Sequence, residues 1–218
     1  PEIAVSVIKA SNRQTEVKVE AFESLSPFHK DLEEYYKAQY DSRKFPIYYE
    51  RRSKQYEGVP AVKSSQVITL SAQIKAYVSA CLAQPQSTHR YFGEVLDSNR
   101  GKMFLDGDRH EKYYLSSALL NRIEILSKRG FVERKYKFFK FQLVYLLFGY
   151  FIKENSKHGK LAFTEIYAQI DNDSVIIPVL RKAQKCIDRA LSTHPMSLQD
   201  ATRSKLITDV LARELMTL

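Results

Sequence analysis

Tryptophan is missing from the 218 residues, and cysteine occurs only twice, at Cys81 and Cys186. Two thiols in a chain of this length exclude a disulfide-stapled scaffold, so both read as free thiols of a cytoplasmic protein. Seven glycines and seven prolines, against 44% hydrophobic residues, are too few for a low-complexity or disordered chain. The glycines stand singly, which excludes a Walker-type loop and a Rossmann fingerprint, and no Gly-x-Ser-x-Gly elbow occurs. His29, His89, His110, His158 and His194 are dispersed, with no Cys-x-x-Cys and no His-Glu-x-x-His among them. That pattern points to no metal site and no cofactor. Long hydrophobic runs are also lacking. The most apolar stretch, residues 138–152, is interrupted by Lys140 and Gln142 and falls short of the ~20 residues of a membrane span.

What the chain does have is positive charge and aromatic rings. Lys and Arg number 34 against 25 Asp and Glu, a net charge of +9, and 12% of residues are aromatic. The length suits one domain or two small ones, with enough chain to bury a core. Charge of this sign is compatible with nucleic acid or with acidic partners, and alone selects neither.

Residues 3–9 are β-branched and partly alternating, which predicts a strand. A polar segment follows, then a helical pattern opening at Ser26-Pro27, a capping hydroxyl before a proline that needs no donor. Lys44-Phe45-Pro46 breaks that helix, and the residues from Ile47 are extended or begin another helix. Thr69 or Ser71 caps a helix stopped before Pro85, and turn chemistry fills residues 97–108. Further helices are expected over 111–129 with a Gly130 cap, over 132–154, over 172–191 with Pro178 inside, and over 198–216 capped by Ser197. The fold class is therefore mainly α, or α+β at most: a helical bundle-like domain with a strand at its N-terminal end. The organisation expected is residues 1–125 with a helical region 126–218 packed on them, or one continuous domain.

Magnesium-dependent nuclease chemistry needs converging carboxylates, usually with a lysine. Glu16-Val17-Lys18 and Glu133-Arg134-Lys135 match an acidic-x-Lys pattern, the second with Asp106 and Asp108 upstream, but such triplets are common by chance. Two basic-aromatic stretches carry more. Around Arg134, Lys135, Tyr136, Lys137 and Phe138, cations neutralise phosphates and rings stack on bases, or else the rings point inward and the lysines form a solvated face. Around Tyr49, Arg51, Arg52 and Lys54 no long apolar run follows, which favours contacts over core. There the competing reading pairs an arginine with Glu50 or Glu57.

In the polar segment, Asn12 and Gln14 offer amide donors and acceptors, while Arg13 and Lys18 offer charge. They form part of a site or only an Asx-type turn. The order of short motifs here resembles the AIPR (abortive infection/phage resistance) family. It runs from Asn12 and Gln14 through Val17-Lys18, Leu25-Ser26-Pro27-Phe28-His29, Tyr49-Glu50-Arg51-Arg52 and Val67-Ile68-Thr69 to Gln84-Pro85. The likeness covers roughly residues 1–120. It tips Asn12 and Gln14 toward a site, and implies a bacterial anti-phage role that engages nucleic acid, DNA before RNA. Family members are usually longer, and an upstream Asn-Gly-x-Gln-Thr-type motif and nuclease-like domain are absent here. The resemblance therefore implies a C-terminal portion, non-catalytic in itself, whose other partner is the missing N-terminal part. A helical interaction module joining a second copy, or part of a metal-dependent nuclease, are the alternatives.

Overall fold

The computed structural model describes residues 23–157 and 161–218. The strand expected over residues 3–9 and the polar loop with Asn12, Arg13, Gln14 and Lys18 lie outside the described residues. The fold is mainly α. Helices α1 (Pro27–Ala38), α2 (Leu70–Ala80), α3 (Phe92–Ser98), α4 (His110–Lys128) and α5 (Lys140–Ser156) come first. They are followed by α6 (Phe163–Asp171), α7 (Asp173–Thr193), α8 (Leu198–Arg203) and α9 (Lys205–Thr217). Between α1 and α2, strands β1 (Tyr48–Glu50) and β2 (Val67–Thr69) pair in parallel, with Tyr49 opposite Ile68.

Local chemistry explains most boundaries. Pro27 opens α1, but among the described residues the Ser26 hydroxyl makes no capping bond and is buried without a partner, so the proline marks this start. Thr69 does cap α2, its hydroxyl accepting from the Ala72 amide at 3.2 Å. The amides of Gly130 and Phe131 close α4 by donating to the carbonyls of Ser127 and Leu126, and Gly130 has the φ of +84° that this closure needs. Other expectations change. The helix expected over 132–154 starts instead as a 3-10 helix, Arg134–Phe139, before α5 begins. The helix expected over 198–216 divides at Ser204, whose hydroxyl caps α9 through the Ile207 amide, while Ser197 caps α8 as expected.

Helices α2, α4 and α5 pack on one another, and α7 and α9 close over α5. The resulting core is one cluster running from Leu32 on α1 to Leu211 on α9, so residues on both sides of position 125 contribute to it. Leu143, Leu146, Leu147 and Phe151 of α5 are all fully buried, which accounts for that helix being apolar all round. Each such side chain contributes roughly 1.5–3 kcal/mol. Gly149 of α5 lies directly against the Leu215 side chain, where a Cβ would collide, and this lets α9 approach.

Two buried arginines fasten the α6–α7 corner. Arg43 binds Asp171 through two 2.7 Å hydrogen bonds and lies over the rings of Tyr114 and Tyr167. Arg122 lies 3.8 Å over Phe45, donates to the Ile170 carbonyl at 3.0 Å and pairs with Asp173 at 2.5 Å. Among the described residues, no helix is long and apolar enough to cross a membrane.

Candidate nucleic-acid interface

The 3-10 helix Arg134–Phe139 organises the second basic stretch. With three residues per turn, side chains three apart stand in rows. Tyr136 and Phe139 form the inward row, 3% and 0% exposed. Arg134 and Lys137 form a second row, which Lys140 continues at the start of α5. Lys135 and Phe138 form the third.

Lys137 and Lys140 of the second row border a groove of about 200 Å³ between the last turns of α4 and the 3-10 helix. Ile123, Val132 and Tyr136 line it together with three cations, Lys128, Lys137 and Lys140, and one carboxylate, Glu124. Lys140 is paired with Glu124 at 3.1 Å. Lys128, Arg134 and Lys137 are exposed and have no ion pair among the described residues. Lys128 also sits in the last turn of α4, where its charge offsets the helix's carbonyl end.

Beside the groove, Lys135 and the Tyr136 hydroxyl both bind Asp188 of α7, at 2.7 and 2.5 Å. Burial pushes the Asp188 carboxyl up, and those two donors outweigh it and hold it below its ordinary value. The same contacts hold the Lys135 ammonium above its usual range. Gln184, one turn earlier on α7, donates to the Phe131 carbonyl. That side of α7 also carries Arg181 and Lys185, both exposed, which extend the basic surface.

The first cluster is arranged differently. Arg51 is 6% exposed, its Nε donating to Glu33 at 2.9 Å and its Nη1 to the Ser24 carbonyl at 2.5 Å. The phosphate contact expected from Arg51 is therefore corrected: it is a buried structural cation, and its partner is Glu33 rather than Glu50 or Glu57. Burial raises the Glu33 carboxyl, but hydrogen bonds from Arg51, Gln55 and Lys37 prevail and keep it below its ordinary value. Tyr49 is fully buried with its hydroxyl 2.7 Å from His29 Nδ1, so its ring offers no stacking face. Arg52 is exposed, and Lys54 is exposed but paired with Glu57 at 3.1 Å. The adjoining cavity, about 480 Å³, is lined by Glu50 and Glu57 as well as Lys54, a poor setting for a phosphate.

Other chemistry finds little footing. Burial pushes both the Cys81 and Cys186 thiols up, away from the thiolate form a nucleophile needs. Asp108 is occupied as a turn residue, accepting from the Tyr113 hydroxyl at 2.7 Å and the Leu105 amide at 3.1 Å. Among the described residues no group of three His, Cys, Asp or Glu side chains converges as a metal site would require.

Sequence reasoning found Arg134, Lys135 and Lys137 but not their division into rows, which follows from a 3-10 period. It passed over Arg181 and Lys185, whose helical spacing relative to Gln184 and Asp188 carried the signal. A family model described as AIPR protein matches residues 2–195, a span that includes the groove and α7 and runs beyond the motifs up to residue 120. No curated protein and no solved structure matches the chain.

Proposed function

Because the chain belongs to the AIPR family, whose role lies in abortive infection and phage resistance, we propose that it serves that defence by engaging nucleic acid through the groove beside the 3-10 helix. It does so without a catalytic centre of its own. The observation that carries this reading is three exposed cations with no ion pair among the described residues: Lys128 and Lys137, which line the groove, and Arg134, one 3-10 turn before Lys137. A groove of low polarity strengthens charge–charge attraction, and cations with no internal partner are the ones left to neutralise phosphates. The exposed Arg52 stands between Glu50 and Glu57 in sequence, both of which line the neighbouring cavity, and contributes less.

Fluorescence anisotropy with a labelled oligonucleotide tests this. Affinity should fall with salt at a log–log slope of about −0.9 for each phosphate neutralised, so about −3 for three contacts on duplex. Absence of binding at low salt to both duplex and single strand would overturn the proposal. Cleavage of the oligonucleotide on adding magnesium would instead favour a nuclease.

A further inference from the structure

Phe138 is 59% exposed, although the neighbouring rings in the same 3-10 helix, Tyr136 and Phe139, are buried. A single exposed apolar side chain is ordinary on a protein surface. What distinguishes this one is its position. It stands one residue from Lys137 on the exposed side of the 3-10 helix, next to the Arg134–Lys137–Lys140 row. Lys135, which shares its row, is drawn down to Asp188 and leaves the ring clear.

Resting on the nucleic-acid reading above, we propose that this face of the 3-10 helix binds single-stranded nucleic acid in preference to duplex, with Phe138 as the platform on which an unpaired base stacks. The phosphates on either side of that base lie along the cationic row and reach Lys128 across the groove. A duplex keeps its base faces stacked inside the helix and shows a protein only base edges and backbone. An exposed aromatic ring therefore gains nothing from a duplex beyond what the lysines give. An unpaired base has a free π-face, and stacking on an aromatic side chain tolerates every sequence. DNA and RNA share this chemistry, because the ring contacts neither the 2′-hydroxyl nor a base edge.

The test compares the 218-residue chain and its F138A variant on a thymidine 12-mer, a uridine 12-mer and a 12-bp duplex, all at one low salt concentration. Removing an exposed ring leaves the core intact, and circular dichroism checks that the variant folds. Tighter binding of either single strand than of duplex supports the inference when F138A weakens it roughly five- to a hundred-fold and leaves duplex affinity unchanged. The tighter of the two single strands assigns DNA or RNA. K137E should weaken all three ligands. If single strand and duplex bind equally and F138A changes neither, the stacking inference is overturned while the function proposed above stands. If nothing binds, both fall together.

Discussion

At the residue scale, the same side-chain type does opposite work depending on where its guanidinium points. Arg51 and Arg52 are adjacent in sequence, yet the first is buried against Glu33 and the second faces solvent. Removing one partner of a buried ion pair leaves the other charge uncompensated, so Arg51→Ala should lose about 3 kcal/mol of stability in urea unfolding. Arg52→Ala should stay within about 0.5 kcal/mol. Equal, small effects would contradict the assignment of Arg51 as structural. The sequence could not separate the two, because the deciding partner, Glu33, lies on α1, 18 residues upstream. Local spacing pointed to Glu50 or Glu57. Burial alone likewise separates Tyr49, a core ring bonded to His29, from Phe138, an open one.

At the scale of elements, caps and breakers were the most legible features. Pro27, Thr69, Gly130, Asn172 and Ser197 all mark real ends, since each acts through the backbone within three residues of itself. The Ser26 hydroxyl is the exception, and it separates two devices that sequence reading merges. Thr69→Ala should cost about 1 kcal/mol because the Ala72 amide loses its acceptor, whereas Ser26→Ala should be near neutral. Thermal unfolding of the two variants checks this, and an equal loss in both would contradict it. Ser204 was missed because the polar stretch Thr202-Arg203-Ser204-Lys205 passes for the solvent face of one long helix, and only its own capping bond marks the break. Helix α6 was missed although Phe163, Ile166, Tyr167 and Ile170 follow helical spacing, and all four are buried. The change from α to 3-10 geometry at Arg134–Phe139 is subtler, since Tyr136 and Phe139 fit either period for a single turn. Its consequence is that Arg134, Lys137 and Lys140 line up at a spacing of three, where an α period would turn each step by about 60°.

At the scale of the whole molecule, much of the surface charge is organised into pairs. Glu33, Glu111, Asp173 and Asp188 are all held below their ordinary values. Arg129 is the leading cause for Asp173; for the other three, burial raises the carboxyl and hydrogen bonds led by Arg51, Arg109 and Lys135 outweigh it. A carboxyl with a depressed folded pKa adds stability that is fully present above its unfolded value and is lost as pH falls through the folded one. The melting temperature should therefore hold steady from neutral pH downward and then drop as pH falls below about 4. A decline that begins near pH 6 would point to other groups. The net charge of +9 is real but not uniform, and it becomes informative only after the paired cations are set aside. Mainly-α architecture was legible from helical spacing and punctuation, and the family from its motifs, whereas the candidate site was half legible. Lys137 and Lys140 lie close in sequence, but the groove depends on the last turns of α4 being folded against them. One measurement weighs the two basic clusters directly: the salt-dependent affinity of Lys137→Glu and Arg52→Glu for one oligonucleotide, beside the unaltered chain. Reversal at Lys137 should weaken binding and lower the magnitude of the salt slope by about 1, while reversal at Arg52 leaves affinity within about twofold. Loss at Arg52 with none at Lys137 would move the interface away from the groove and contradict the central proposal.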